Sequence, residues 1–326
     1  MALFDMKVYQ DEIYQTAIEL LGQNMAAFNA ASGGALQLST NAWRGDYSKE
    51  TFFAQLAGAQ RRVDRYAANG AQASTALTMS ELVGVKVAGG FGPVLFEPAQ
   101  LSWLRESPDV AIMAIASGFA DALLADQLNT AVAAAVAAVS GVAALVNDVS
   151  AGSGSAAAMT QNVLNGSHAK FGDMSGLLVA DIMTGAVYHK LIDQAITNSG
   201  QLFNSTNVQV VDILGKRVVV SDIPSLYVSG THNKHKVLSV VSGGIVVDNA
   251  SDIITNMESS NGKERIETTW QADYTFGIKL KGYAWDTANG GKSPTNAEIS
   301  TSSNWDKSVT DNKHTLGTLA IASADV

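Results

Sequence analysis

"RIETTWQADYTFGIKLK", residues 265–281, alternates without a break. The even positions from Ile266 to Leu280 are Ile, Thr, Trp, Ala, Tyr, Phe, Ile and Leu; the odd ones are Arg, Glu, Thr, Gln, Asp, Thr, Gly, Lys and Lys. Successive side chains of a strand point to opposite faces, so this spacing predicts one strand with a single apolar face. At ~3.3 Å per residue it would reach about 50 Å, far beyond the usual strand of about five or six residues. Such a ribbon needs a surface of equal length to cover it. Gly277 is the expected place for a bulge that bends it.

That surface is found upstream. Ser107 is placed as an N-cap, with Pro108 at the first helical position and Asp109 in the first turn. The apolar pattern then runs through Val110, Met113, Phe119, Leu123 and Leu124 to about Val139. At ~1.5 Å per residue this is a rod of roughly 50 Å, a spine rather than the usual helix of about three turns. Asp121 and Asp126 within it lack an accompanying His or second acid, so they read as exposed or paired. The uncharged stretch 127–147 is Ala-rich and interrupted by Asn129, Thr130, Ser140 and Gly141, which favours a buried helix over a membrane span.

Other segments fill in around these two. An N-terminal amphipathic helix over 7–30 carries Tyr14, Ala17, Ile18, Leu21, Met25 and Phe28 on one face and stops at Ser32-Gly33-Gly34. Residues 35–90 are polar and Gly-spotted, too poor in apolar residues for a core of their own; an excursion of this kind is usually functional. It contains "AQRRVDR", in which Arg61, Arg62 and Arg65 surround Asp64, read first as a solvated charged face and next as a contact to a partner subunit. "VSAGSGSAAAM" (149–159) reads as a linker. "GLLVAD" (176–181) is a buried strand, and Thr184 caps a helix whose buried face carries Val187, Tyr188, Leu191, Ile192, Ala195 and Ile196 before Asn198-Ser199-Gly200. "VQVVDILGKRVVVSDIPSL" (208–226) is read as a hairpin turning at Leu214–Arg217, in preference to an anion-binding loop. Strands at 236–241 and 245–248 are joined hairpin-style by Ser242-Gly243-Gly244. The polar stretch 289–326 reads as an extended arm.

Chemistry is hard to find. The chain has no Cys, which excludes disulfides, thiolate metal sites and Cys nucleophiles. Of five His, only His232 and His235 are closely spaced, with no acid beside them, a weak metal signal. "GGFGPV" (89–94) has the glycines of a turn but no Lys-Ser/Thr to hold a phosphate. A Ser-His-Asp grouping drawn from distant positions stays open. The sequence therefore assigns no catalytic, cofactor or metal residue, and the chain is read as no enzyme. Composition leaves two readings open. Charged residues are 16%, against about 25% for a typical soluble domain, which fits either more surface covered than usual or a compact Ala-rich enzyme. A net charge of −9 argues against a broad basic face for nucleic acid.

In order, the pieces resemble the major capsid proteins of tailed bacteriophages, the Hong Kong 97-type fold. "DILGKRVVVSDIPS" resembles a strand–Gly–strand–Asp–Pro segment of the axial lobe. "QRRVDR" followed by "ELVGVKVAGGFGPVLFEPAQLSWLRESP" resembles the extended loop running back into the spine helix, and "KGYAWDTANGGKSPTNAEISTSSNWD" resembles the C-terminal end. The resemblance implies an α+β chain: an N-terminal helical arm (1–34), an extended β loop (35–90), a spine helix (91–148) and long β ribbon (251–288) forming the peripheral domain, an α/β axial domain (149–250) and a C-terminal arm (289–326). It implies a structural subunit assembling into pentamers and hexamers of an icosahedral shell around double-stranded DNA contacted non-specifically, made in the bacterial cytoplasm and located in the virion. The implied partners are further copies, a portal, and scaffolding or cement proteins, with no cofactor and no membrane. The subunit-interface candidates are Leu21, Arg61, Arg62, Asp64, Arg65, Lys216 and Arg217. Two alternatives stand beside it: an encapsulin-type shell around enzyme cargo, and an Ala-rich hydrolase or sugar-binding enzyme.

Overall fold

The computed structural model describes residues 3–39, 43, 45–53, 60–68, 70–77, 79–96, 108–152, 154–198, 216–230, 233–249, 252–262 and 264–323. Two six-stranded sheets share one long helix. Helix α1 spans Leu3–Ala31 and α2, the spine, spans Pro108–Ser140. The first sheet has the order β1 (Leu36–Ser39), β9 (Ile245–Asn249), β11 (Glu267–Leu280), β3 (Met79–Phe96), β2 (Tyr47–Phe53), with β10 (Ile254–Ser260) also on β11. The second has the order β4 (Val146–Asp148), β14 (Gly317–Ser323), β8 (Lys234–Val241), β5 (Leu178–Met183), β6 (Arg217–Val220), with β7 (Tyr227–Val228) on β8. A small pair, β12 (Tyr283–Trp285) with β13 (Trp305–Lys307), follows the ribbon.

The ribbon lies where its alternation places it. From Thr268 to Leu280 every even residue is buried, whereas Ile266, ahead of the strand, is exposed. Its inner face meets the spine through a cluster of rings. Phe119 of α2 stands edge-on to Trp270 and to Phe91, each at 5.5 Å between centroids, and to Tyr274 at 6.3 Å. The Tyr274 hydroxyl donates to Asp126 Oδ2 at 2.8 Å, which accounts for that acid on the spine. Past residue 130 the spine is buried nearly all round, as expected of a helix apolar on every face. By length and composition its stretch Met113–Ser140 would suit a membrane, but most of it is core here.

The bulge is not at Gly277. The register between β11 and β3 slips between Trp270 and Ala272, opposite Gly92-Pro93. There β3 carries the extra residue, as a β-bulge requires, and "GGFGPV" is strand rather than turn. Gly92 sits at φ +98°, and a Cβ on it would come within 2.8 Å of the Trp270 carbonyl. Gly277 instead makes room for a neighbour, since a Cβ there would overlap the ring of Trp43, which lies on the outer face of the sheet.

Other expectations change. β8 and β9 do not pair. The Ser242–Gly244 turn carries the chain out of the second sheet into the first. Gly243, at φ +65°, donates its amide to the Gly34 carbonyl at 2.7 Å. The stretch 289–326 is no arm within its described part. Ile299, Trp305 and Leu316 are buried, and β14 lies between β4 and β8 inside the second sheet. The "linker" 149–159 ends in the core at Ala157–Met159. β3 runs through residue 90 without interruption, and the ends of the 35–90 excursion are strands of the first sheet. The N-terminal helix is longer than 7–30, and its buried line runs through Ile13, Ala17 and Met25, with Ile18 43% exposed. The side chains of Tyr14, Leu21 and Phe28, the cap Ser107, the stop at Ser199-Gly200, and the first half of the 208–226 stretch lie outside the described residues.

The second sheet is sandwiched. Helices α3 (Gln161–Ala169) and α4 (Gly185–Asn198) cover one face, where Val163, Leu164, Val187 and Leu191 meet Val237 and Ala320. Leu178, Ala180, Leu238 and Leu319 join the spine's core on the other.

Candidate subunit-contact surfaces

Two kinds of site are open from the sequence: a reactive cluster and a contact surface. The structure brings together one Ser-His-Asp grouping, from residues distant in sequence. His168 of α3 places Nε2 at 3.0 Å from Asp181 Oδ1 of β5 and 3.0 Å from Ser239 Oγ of β8. A catalytic triad uses both ring nitrogens, one facing the nucleophile and the other the acid. Here both partners meet the same nitrogen. All three residues are buried between sheet and helix, so the grouping pairs polar atoms inside the core, with Asp181 Oδ2 left without a partner among the described residues. Neighbouring Ser167 donates to Thr318 in the same layer at 3.0 Å. No group of three or more His, Asp or Glu able to hold a metal ion occurs among the described residues.

A groove of about 430 Å³ lies between the spine, the turn at 223–225 and the short helix α5 (Asn296–Ile299). Its one carboxylate, Asp126, is already engaged by Tyr274 and approached by Thr130 Oγ1 at 3.5 Å. Burial, reinforced by that carboxylate, pushes the Tyr274 phenol far above its usual range. The phenol therefore keeps its proton and donates it in the hydrogen bond to Asp126.

The loop between β2 and β3 is the candidate contact surface. Its described part, 60–68 and 70–77, is exposed throughout. Tyr66 is 100% exposed, Val63 63% and Leu77 54%. Asp64 Oδ1 accepts the Tyr66 amide at 2.9 Å, a local turn within the run of arginines. Among the described residues none of Arg61, Arg62 and Arg65 has an ion-pair partner.

The base of the loop is held firmly. Lys279 of the ribbon reaches Glu50 of β2 and Asp248 of β9, both at 3.1 Å, with its ammonium 5.4 Å from the Trp43 ring centre. Burial works against this charge, but Asp248 and Glu50 outweigh it and hold the Lys279 pKa above the usual lysine value. Lys86 pairs with Asp252 at 3.1 Å, and Lys292 with Asp46 at 3.3 Å. The excursion is thus tied down at its root and bare at its far end.

Lys216 and Arg217 are engaged inside the chain. Lys216 Nζ donates to the carbonyls of Ser175 and Leu178 at 3.0 and 2.7 Å, and Arg217 donates to the Ala30 carbonyl in the last turn of α1 at 2.7 Å. A cation there also opposes the negative end of the helix. β6 pairs in parallel with β5, and the strand expected before Gly215 lies outside the described residues. Asp222 accepts the Gly185 amide at 2.9 Å and caps α4 from a distance in sequence. Thr184, expected in that role, contributes its backbone carbonyl instead, to Tyr188.

A family model described as Gp13-like, major capsid protein 13-like, matches residues 5–319. No protein of curated function matches the chain in sequence. Among solved structures, a chain of the cyanophage Pam1 capsid is 14% identical over 75% of this chain and 84% of its own, with a TM-score of 0.50. The head of Helicobacter pylori bacteriophage KHP40 is 10% identical over 90% and 89%, with a TM-score of 0.46. The capsid of Ralstonia phage GP4 is 12% identical over 78% and 84%, also at 0.46. At these identities the Pam1 likeness concerns the fold, here the Hong Kong 97-type arrangement of spine, ribbon and α/β lobe. The family supports neither a cargo compartment nor an enzyme. Its model spans all but the two ends, and the chain belongs to the Gp13-like family of major capsid proteins.

Proposed function

We propose that copies of this capsid protein form rings of five and six that tile an icosahedral shell around double-stranded DNA, with the 60–77 loop of each copy lying on its neighbour. The bare loop carries this reading. Val63, Tyr66 and Leu77 are large side chains each more than half exposed, on a loop whose root is fixed. Rings demand contacts between unlike surfaces, and a projecting loop supplies one half of such a contact. The net charge of −9 suits a wall that does not trap DNA. Leu21 on α1 and the Arg61, Arg62, Asp64, Arg65 group are the proposed contact residues. Lys216 and Arg217 are proposed to act at the lobe nearest the ring axis, by fixing β6 and α1 as well as by their charge. A portal and scaffolding or cement proteins complete the proposed partners, with synthesis in the bacterial cytoplasm.

The test is assembly. Purified protein imaged in negative stain is expected to give closed shells with fivefold and sixfold rings. Arg61→Glu, Arg62→Glu and Arg65→Glu together should leave a folded subunit, unchanged in circular dichroism, that no longer closes into shells. Leu21→Asp should impair shell yield more than solubility. Shells of normal yield from the triple variant would remove the loop from the contact.

A further inference from the structure

Four asparagines in the chain precede a glycine, at 69, 165, 261 and 289. This dipeptide has a chemistry of its own. The backbone nitrogen after the asparagine attacks the side-chain carbonyl carbon, the bond to the amide nitrogen breaks, and ammonia leaves with the proton of the attacking N–H. The resulting five-membered imide is opened by water at either carbonyl, giving aspartate or isoaspartate. Glycine favours the attack because it has no Cβ to crowd the approach and its backbone turns freely.

The fold separates the three described cases. Asn165 lies inside α3, and Gly166 packs against Asn147, whose Nδ2 would be 2.8 Å from a Cβ there. Helical hydrogen bonding holds that nitrogen away from the side chain. Asn289 is clamped: the Gly290 amide donates to the Asp286 carbonyl at 2.9 Å, the Asn289 amide donates to Asp286 Oδ1 at 3.2 Å, and the Asn289 side chain donates to the same carboxylate. Asn261 is different. It stands in the loop between β10 and β11 at the tip of the ribbon, exposed, followed by Gly262 at φ +89° with open space around it. Among the described residues neither the Asn261 side chain nor the Gly262 amide has a hydrogen-bond partner.

We infer that Asn261 is a site of spontaneous covalent modification, converting to aspartate and isoaspartate through attack by the Gly262 nitrogen while Asn165 and Asn289 are protected by the fold. The change would matter locally. It sets a new carboxylate beside Glu264 and the Arg265–Glu267 pair. The iso form also adds a methylene to the main chain of the turn that fixes Ser260 opposite Glu267. The ribbon tip would become heterogeneous with age.

The experiment uses the folded, unassembled full-length chain, held at mildly alkaline pH in water enriched in oxygen-18, then digested and mapped by mass spectrometry. A parallel sample is unfolded in denaturant first. In the folded sample Asn261 is expected to take up label at least about tenfold faster than Asn165 or Asn289, equivalent to about 1.4 kcal/mol of barrier. In the unfolded sample the three should convert at similar rates. Folded Asn261 converting no faster than Asn165 or Asn289 would overturn the assignment.

Discussion

Replacing Phe119 tests the docking of ribbon on spine directly. Its side chain is 1% exposed and touches three rings, two from the strands β3 and β11 at 5.5 Å and Tyr274 at 6.3 Å. Truncating a buried Phe to Ala costs about 3–5 kcal/mol through lost transfer energy and the cavity left behind. Each edge-to-face ring pair adds about 0.5–1.5 kcal/mol beyond its buried area. Phe119→Leu fills most of the volume but loses the ring pairs, so it should cost about 1–3 kcal/mol. The expected order is thus wild type, then Leu, then Ala, read as the shift in urea midpoint of the unassembled subunit at constant slope. Near-ultraviolet circular dichroism should fall in step, because Trp270 loses a fixed neighbour. If the ribbon did not lie on the spine, Phe119 would be a surface residue and Ala would cost under about 0.5 kcal/mol. A Phe119→Ala loss below about 1 kcal/mol, or Leu as damaging as Ala, would refute the packing argument.

Asp181→Ala should cost about 1–3 kcal/mol, because it leaves the weaker Ser239 hydroxyl as the one partner of buried His168 Nε2, and Ser239→Ala less, because the His–Asp contact remains; thermal unfolding of both reads the order, and equal losses would count against it. Gly277→Ala should destabilise by about 1–3 kcal/mol through overpacking against Trp43. In a Trp43→Ala background most of that cost should vanish, so a double-mutant cycle with coupling under about 0.5 kcal/mol would contradict the seat. Lys279 has a raised folded-state pKa, so its contribution is complete below the usual lysine value of 10.5 and is lost as pH rises through the folded value. Partly exposed as it is, Lys279→Met should cost up to about 1 kcal/mol at neutral pH and nothing at strongly alkaline pH; a pH-independent effect would show that packing, not charge, explains it.

The longest elements are legible because their pattern repeats many times. Fourteen residues of alternation and thirty-three of helix fix their own type. Pairing partners are another matter. Ser242-Gly243-Gly244 announces a reversal, and nothing local says that the strands on either side belong to different sheets. β14 escapes a reading by pattern for a physical reason: Gly317, Thr318, Ala320, Ala322 and Ser323 are buried, yet small and partly polar. A strand enclosed by neighbours and by layers on both faces has room for little else, and small residues read as loop. The His168 grouping joins positions 13 and 71 apart, which no spacing rule links. The arginines of the loop are legible as charge, but the bareness of Val63 and Tyr66 beside them belongs to the fold. Asp222 as a cap could have been suspected from the Asp-Ile-Pro stop, since such an Asp needs a donor.

The position of β14 bears on how the protein is made. A chain emerging from the ribosome supplies β4, β5 and β8 long before residues 317–323, and the place between β4 and β8 stays vacant until those residues arrive. Until then two strand edges lie open, a state prone to pair with the wrong chain. Completing the lobe therefore waits for residues 317–323. A product terminated before residue 317 cannot build it and is marked by its open edges as defective.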